Sequence, residues 1–187
     1  MLEVYHFADP MHADCLTTEQ RLTNILSHVP NARLRFVPTV DPTIIEELSA
    51  QIDQFDWQAT KDNLAALSFR ICLDFKAAQL EGNKKARNFL IGLQEALHDG
   101  LDYSEELVFA TAEKFGLNTT DFAHHRQVSE AGEAVLADQR LATTVLPNDG
   151  SAIAIEDGVA LTTHFVKDFT PAGLAAAFKQ HAPQLTI

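Results

Sequence analysis

Two stretches near the start of the chain have the residue pattern of β-strands. Between them, apolar residues recur at helical spacing. Residues 4–7 form a short run of β-forming residues, and residues 32–38 alternate apolar and mostly charged side chains. Between them, apolar residues recur every three or four positions and stop before Pro30, which predicts a helix. The pattern predicts a β-helix-β unit over residues 2–38, long enough for a parallel crossover. Pro38 indicates that the second strand lies at an edge of the sheet.

The middle of the chain is a series of helical patterns separated by only a few residues. Helices are predicted over residues 42–52, 61–80, 84–98 and 105–114, followed by a short one that opens at Thr120 or Asp121. Ser104 is the predicted N-cap of the fourth helix. These helices are alanine-rich and amphipathic, so they predict a compact helical bundle.

The order of elements changes again near the C-terminus. A helix over residues 129–141, capped by Ser129, is predicted to precede a strand over residues 151–155. A turn at Glu156-Asp157-Gly158, a second strand over residues 159–165 and a helix opened by Thr170-Pro171 follow. A hairpin needs a partner sheet, and the N-terminal parallel pair is the natural one.

These elements predict an α/β protein in two parts. Residues 1–45 and 128–187 form a sheet domain, and residues 46–127 form a helical domain inserted into it.

Composition limits the partners and the compartment. The 187 residues carry a formal net charge of −12, so nucleic acid and anionic membrane surfaces are not expected partners, and a partner attracted by charge is basic. The start of the chain lacks a secretion-signal pattern and no stretch approaches membrane-spanning length, which predicts a cytoplasmic protein. Cys15 and Cys72 are far apart in sequence and are expected to be free thiols in a reducing compartment.

The most specific motif is His12-Ala13-Asp14-Cys15, which follows the first strand and the segment Ala8-Asp9-Pro10-Met11. Residues 7–15 combine an apolar strand end, an Asp-Pro pair, and His12 and Cys15 three positions apart. They resemble the Cys-x-x-Cys region of the DsbA-like family, with His12 at the first cysteine position. The helical stretches 77–82, 86–93 and 115–122 also look like that family's inserted domain. The resemblance implies a thioredoxin-like fold with an inserted α-helical domain.

Within this family, the chain looks closest to the cytoplasmic branch of Gram-positive bacteria. That branch includes SpxH/YjbH-type adaptors, which deliver the regulator Spx to the ClpXP protease, and a related branch comprises dithiol-disulfide isomerases. The resemblance therefore implies a cytoplasmic module that binds a protein or peptide, with a protease adaptor as the particular form.

The loss of the first cysteine leaves three interpretations of the motif. Cys15 is a small buried hydrophobe, or His12 lowers its pKa so that it acts in a thiol-disulfide oxidoreductase or isomerase. In the third, the helix start binds glutathione, as in the kappa-class glutathione transferases, which resemble this fold and have serine at the first position. No metal is expected, and glutathione is the one cofactor that any of these interpretations includes.

The family resemblance also implies a peptide groove beside the motif. Thioredoxin-like proteins place a cis-proline opposite the helix start, where its backbone receives an extended peptide. Pro147 is the candidate for that proline, or Ser151 occupies its place because Asn148-Asp149-Gly150 intervenes before the strand. Together with Asp9, Pro10 and Met11, these residues are the predicted peptide-binding set.

Overall fold

The computed structural model describes residues 1–50, 57–146, 151–157 and 162–181, which form a four-stranded sheet and eight helices. In chain order these are β1 (Leu2–Ala8), α1 (Ala13–Leu26), β2 (Ala32–Pro38), α2 (Pro42–Ala50), α3 (Trp57–Gln79), α4 (Asn83–His98), α5 (Glu105–Lys114), α6 (Thr119–His125), α7 (Ser129–Val145), β3 (Ala152–Asp157), β4 (Thr162–Val166) and α8 (Pro171–His181). The order is the predicted one: β-α-β, a helical stretch, then α-β-β-α.

The sheet joins the N-terminal parallel pair to the C-terminal hairpin. Its strand order is β2-β1-β3-β4, so β2 is an edge strand, as Pro38 indicated. β1 and β2 are parallel with Leu2 opposite Ala32, and β3 runs antiparallel to β1 with Ile155 opposite Val4. The crossover through α1 is what places two sequence-adjacent strands side by side in the same direction.

Apolar side chains fill both faces of this sheet. One face packs against α1 and α8 through a cluster that includes Val4, Leu22, Ile155 and Phe178. The other face packs against α7 through Phe7, Val37, Ala142 and Ala154. Each large apolar side chain buried in this way contributes about 1.5–3 kcal/mol relative to its exposed state.

The helical stretch has a core that continues into the end of the sheet. Its buried residues include Ile71, Phe75, Phe89 and Leu93 of α3 and α4, together with Ala8, Cys15 and Phe36 from the sheet part of the chain. The end of β1 and the first turn of α1 are therefore packed from the helical side, and the division at residues 46 and 127 stays a prediction.

Helix α7 is longer than its sequence pattern predicted. It runs to Val145, and its N-cap is Val128, which leaves Ser129 as the first helical residue without a side-chain cap. The pattern ended the helix at residue 141. In the fold the hydroxyls of Thr143 and Thr144 donate to the carbonyl oxygens of residues 139 and 140 at 2.9 and 2.8 Å, within the continuing helix. The last turn is held by packing, since Ala142 is buried in the cluster against the sheet and Val145 packs against it.

Other element ends also differ from the sequence pattern. α3 begins at Trp57, before the predicted residue 61, and β3 continues to Asp157, through the position where a turn was predicted. α6 begins at Thr119, and the Asn118 side chain accepts the N–H groups of residues 120 and 121 as its N-cap. The predicted cap of α5 is confirmed, since Ser104 Oγ accepts the Leu107 N–H at 3.2 Å.

Candidate functional site

A buried carboxylate fixes the loop between β1 and α1. Asp9 is fully buried and accepts the backbone N–H groups of Met11 and Asp41 at 2.9 Å each. The Ser68 hydroxyl of α3 lies 2.9 Å from each Asp9 carboxylate oxygen. Burial raises the pKa of Asp9 above its usual value, and these hydrogen bonds oppose the rise. Asp9 therefore ties together the strand end, the start of α2 and the helical stretch, instead of facing a peptide.

His12 occupies the N-cap position of α1. Its backbone is extended, with φ −74° and ψ 131°, and its side chain makes no capping hydrogen bond. The ring is 25% exposed, and Nε2 lies 4.0 Å from the Glu47 carboxylate of α2. The opposite ring nitrogen, Nδ1, is buried and has no hydrogen-bond partner within the described part of the chain.

Cys15 lies one turn into α1 and is withdrawn from solvent. The residue is only 2% exposed and its thiol is free. Gln94 of α4 donates from Nε2 to Cys15 Sγ at 3.3 Å and to the Pro10 carbonyl oxygen at 2.9 Å. Burial raises the pKa of the Cys15 thiol far above its usual range, and the Gln94 hydrogen bond only partly offsets it. The thiol is therefore protonated and shielded at neutral pH.

Cys72 is in a similar state on α3. It is fully buried and free, and burial raises the pKa of its thiol well above the usual value. Neither of the two cysteines is therefore a ready nucleophile in this conformation.

A buried His–Glu pair lies beneath the helix start. His6 Nδ1 of β1 is 2.9 Å from Glu19 Oε2 of α1, and the side chains are 1% and 0% exposed. Sequence reasoning missed this pair and Gln94. A histidine within an apolar strand was the available signal for the first, because a buried polar group needs a partner.

A small cavity brings part of the predicted site together. It has a volume of about 110 Å³ and is lined by His12, Cys15 and Ser151, with His6, Asp14, Thr18 and Phe169. The Ser151 hydroxyl oxygen is buried there without a hydrogen-bond partner in the described residues. Pro147, the other candidate for the position opposite the helix start, lies outside the described residues.

Pro10 and Met11 line a separate groove on the helical side. Its volume is about 180 Å³, and Leu67, Gln94, Leu97 and His98 form the rest of its wall. Pro10 itself is buried and Met11 is half-buried, so Met11 is the predicted binding residue that presents apolar surface here.

Residues 12–15 hold one thiol, so they cannot close the internal disulfide that a Cys-x-x-Cys motif forms. Within the described ranges, no group of three His, Cys, Asp or Glu side chains could hold a metal ion. The helices in the described part of the chain also include none with the length and apolar character of a membrane span.

The fold and the motif position define a thioredoxin-like α/β protein with a large helical insertion. A family model described as thioredoxin matches residues 5–146, most of the chain. The chain belongs to this thioredoxin family.

Solved structures with the same fold are thiol-disulfide proteins of the DsbA-like group. A candidate protein disulfide isomerase from Nitrosomonas europaea superposes with a TM-score of 0.71 at 15% identity, covering 96% of this chain and 98% of that one. The cytosolic disulfide reductase DsbM from Pseudomonas aeruginosa gives 0.65 at 12% identity, with 97% and 99% covered. The thiol-disulfide exchange protein alpha-DsbA2 from Wolbachia pipientis gives 0.63 at 11% identity, with 99% and 82% covered. At these identities the likeness establishes the fold, and it confirms the DsbA-like architecture expected from the sequence.

Proposed function

We propose that this protein is a binding module for an extended protein segment and does not use Cys15 as an attacking thiol. The observation that carries the proposal is the contrast at the start of α1, where His12 reaches solvent and Cys15 is 2% exposed. An attacking thiol must be an accessible thiolate, and Cys15 is neither accessible nor ionised. A scaffold without that chemistry retains its surface for binding.

The binding surface in this proposal lies around Met11 and His12. The groove beside Met11 is walled by Leu67 and Leu97 and offers apolar contact, while Glu47 next to His12 is 58% exposed and negatively charged. With a chain net charge of −12, this surface favours a basic segment that also carries apolar side chains.

A direct test is fluorescence anisotropy with two labelled extended peptides, one alternating leucine with lysine and the other leucine with glutamate. We expect saturable binding of the basic peptide, at least about tenfold tighter than the acidic one. Met11→Lys should weaken that binding, because it replaces apolar surface in the groove with a charge that repels the basic peptide. The matched control is Leu136→Lys, at a leucine of α7 that is 50% exposed.

Two outcomes contradict the binding proposal. One is the absence of saturable binding by either peptide. The other is a dissociation constant for the basic peptide that changes no more in Met11→Lys than in Leu136→Lys.

The finer form of the proposal is a protease adaptor of the SpxH type that works in a reducing, cytoplasmic compartment. Two free, buried cysteines are compatible with such a compartment. One structural neighbour, DsbM, is named as a cytosolic protein. Fractionation of the source cells with an antibody against this chain tests the compartment, and recovery outside the cytoplasm contradicts it.

A second candidate function is thiol-disulfide exchange through Cys15. It is favoured by the small cavity that Cys15 lines with His12 and by the names of the neighbours, which include a disulfide reductase and a thiol-disulfide exchange protein. The test is the rate of insulin reduction in the presence of dithiothreitol, for the wild type and for Cys15→Ser. A rate above background that is lost in Cys15→Ser would establish this second function in place of the first.

The glutathione interpretation remains a prediction of the sequence resemblance. The cavity of about 110 Å³ at the helix start is well below the roughly 300 Å³ at which small-molecule pockets begin. Titration calorimetry with reduced glutathione tests it, and saturable binding that His12→Ala abolishes would favour it over a protein partner.

A further inference from the structure

A second, larger cavity lies at the outer edge of β2, where the sheet meets α3, α4 and α7. Its volume is about 530 Å³, within the range of about 300–1,000 Å³ that is typical of small-molecule sites. Four cationic side chains line it, namely Arg33, Arg35, Lys76 and Arg87. Three carboxylates, those of Glu3, Glu19 and Asp138, also line it, so the wall carries one more cation than anion on a chain whose net charge is −12.

Two of these cations form ion pairs with the same carboxylate. Asp138 of α7 forms ion pairs with Lys76 and with Arg35, the latter at 3.2 Å. Lys76 Nζ also donates to Gln79 Oε1 at 2.9 Å. This cluster joins α3, α7 and β2 and forms one wall of the cavity.

The other two cations have no such partner. Among the described residues, neither Arg33 nor Arg87 forms an ion pair, and Arg87 Nε is buried without a hydrogen-bond acceptor. Glu3 lies opposite Arg33 in the β1–β2 register, but its carboxylate accepts the Tyr5 hydroxyl at 2.8 Å. A guanidinium with an unused donor facing a cavity is suited to a planar or tetrahedral oxyanion.

One carboxylate oxygen on the cavity wall also lacks a partner. Glu19 is fully buried and lines the cavity, and while its Oε2 is bonded to His6, its Oε1 has no hydrogen-bond partner in the described part of the chain. A ligand that fits this wall must therefore present a hydrogen-bond donor to Glu19 as well as anionic groups to the arginines.

We propose that this cavity binds a small polyanion that carries phosphate or carboxylate groups and at least one hydroxyl. Arg33 and Arg87 hold the anionic groups, and Glu19 Oε1 accepts the hydroxyl. Because Glu19 is also the partner of His6, the bound molecule lies directly behind the pair that supports the Cys15 cavity.

Titration calorimetry of the full chain with two probes tests the proposal. Citrate supplies carboxylates with a hydroxyl, and fructose 1,6-bisphosphate supplies phosphates with hydroxyls. We expect one or both to bind saturably, and the tighter probe identifies the anionic group that the site prefers. Arg87→Gln and Arg33→Gln should each raise the dissociation constant about tenfold or more, through loss of charged hydrogen bonds.

Arg140→Gln is the matched control, since it removes the same charge from an exposed position on α7 outside the cavity. Arg33 is exposed, so its variant tests the site even if Arg87→Gln disturbs folding, which circular dichroism checks. The proposal is overturned if neither probe binds, if Arg33→Gln binds as the wild type does, or if Arg140→Gln weakens binding equally.

Discussion

His12 and Cys15 are one helical turn apart and lie in opposite environments. His12 is a quarter exposed at the helix N-terminus, beside the exposed Glu47. Cys15 is 2% exposed, accepts a hydrogen bond from Gln94 and belongs to the core of the helical stretch. The helix start stabilises a thiolate, but the residue there has no sulfur, and the sulfur lies where ionisation is costly. The reactivity of such a motif thus depends on which of its two positions carries the thiol.

Placing a thiol at the exposed position is expected to have the largest effect on this comparison. His12→Cys places a sulfur at the helix N-terminus, three residues from Cys15, at a separation that helical geometry makes suitable for a disulfide. We expect the rate of insulin reduction with dithiothreitol to rise on the order of a hundredfold, since thiolate content grows tenfold for each pKa unit lost. His12→Ser, which adds no sulfur, is the control. An unchanged rate in His12→Cys would show that the scaffold lacks more than the cysteine.

The depth of Cys15 predicts slow chemical modification. In a Cys72→Ser background, we expect iodoacetamide to alkylate Cys15 on the order of a hundredfold more slowly in the folded protein than in guanidinium chloride, because only opening of the structure exposes the thiol. The rates are followed by mass spectrometry at several pH values, with Cys15→Ser as the blank. Fast alkylation of the folded protein, with an apparent pKa below about 8.5, would contradict the buried state.

The pair beneath the helix start should matter more for stability than an exposed carboxylate does. Glu19→Ala leaves His6 buried without its partner, so we expect the free energy of unfolding to fall by about 3 kcal/mol. Glu133→Ala removes an exposed carboxylate of α7 and should change it by less than about 0.5 kcal/mol. Urea denaturation measures both, and equal midpoints would show that the pair contributes nothing.

The two buried thiols predict a loss of stability at alkaline pH. Their folded-state pKa values lie above the unfolded value of about 8.5, so above that pH the unfolded chain releases protons that the folded protein keeps. The contribution is present below about pH 8.5 and is lost as pH rises. We expect each cysteine to lower the free energy of unfolding between pH 8.5 and 10, with a slope of at most about 1.4 kcal/mol per pH unit.

The double variant Cys15→Ala/Cys72→Ala separates this effect from the titration of lysine and tyrosine. Its stability should fall less steeply over the same pH range than that of the wild type. Parallel curves for the two proteins would mean that the thiols ionise equally well in the folded and unfolded states.

Periodicity was informative wherever a segment has one solvent-facing side. Local pattern was enough to predict the bounds of β2 and the cap at Ser104. The pairing of the C-terminal hairpin with the parallel strands follows from the need of strands for partners. The end of α7 did not, because it depends on the packing of Ala142 and Val145 against the sheet, which outweighs the β-propensity of Thr143 and Thr144 and cannot be read from a count of residue types.

The sequence by itself determined the class of fold and the presence of histidine at position 12, three residues before Cys15, because both depend on short-range spacing and on residue identity. Only the tertiary structure decided the state of the site. Gln94 is far from Cys15 along the chain, and Ser68 is far from Asp9. The larger cavity is lined by residues of β1, α1, β2, α3, α4 and α7. Burial and hydrogen-bond partners are properties of how distant segments pack, and they set whether a thiol ionises or a charge remains unpaired.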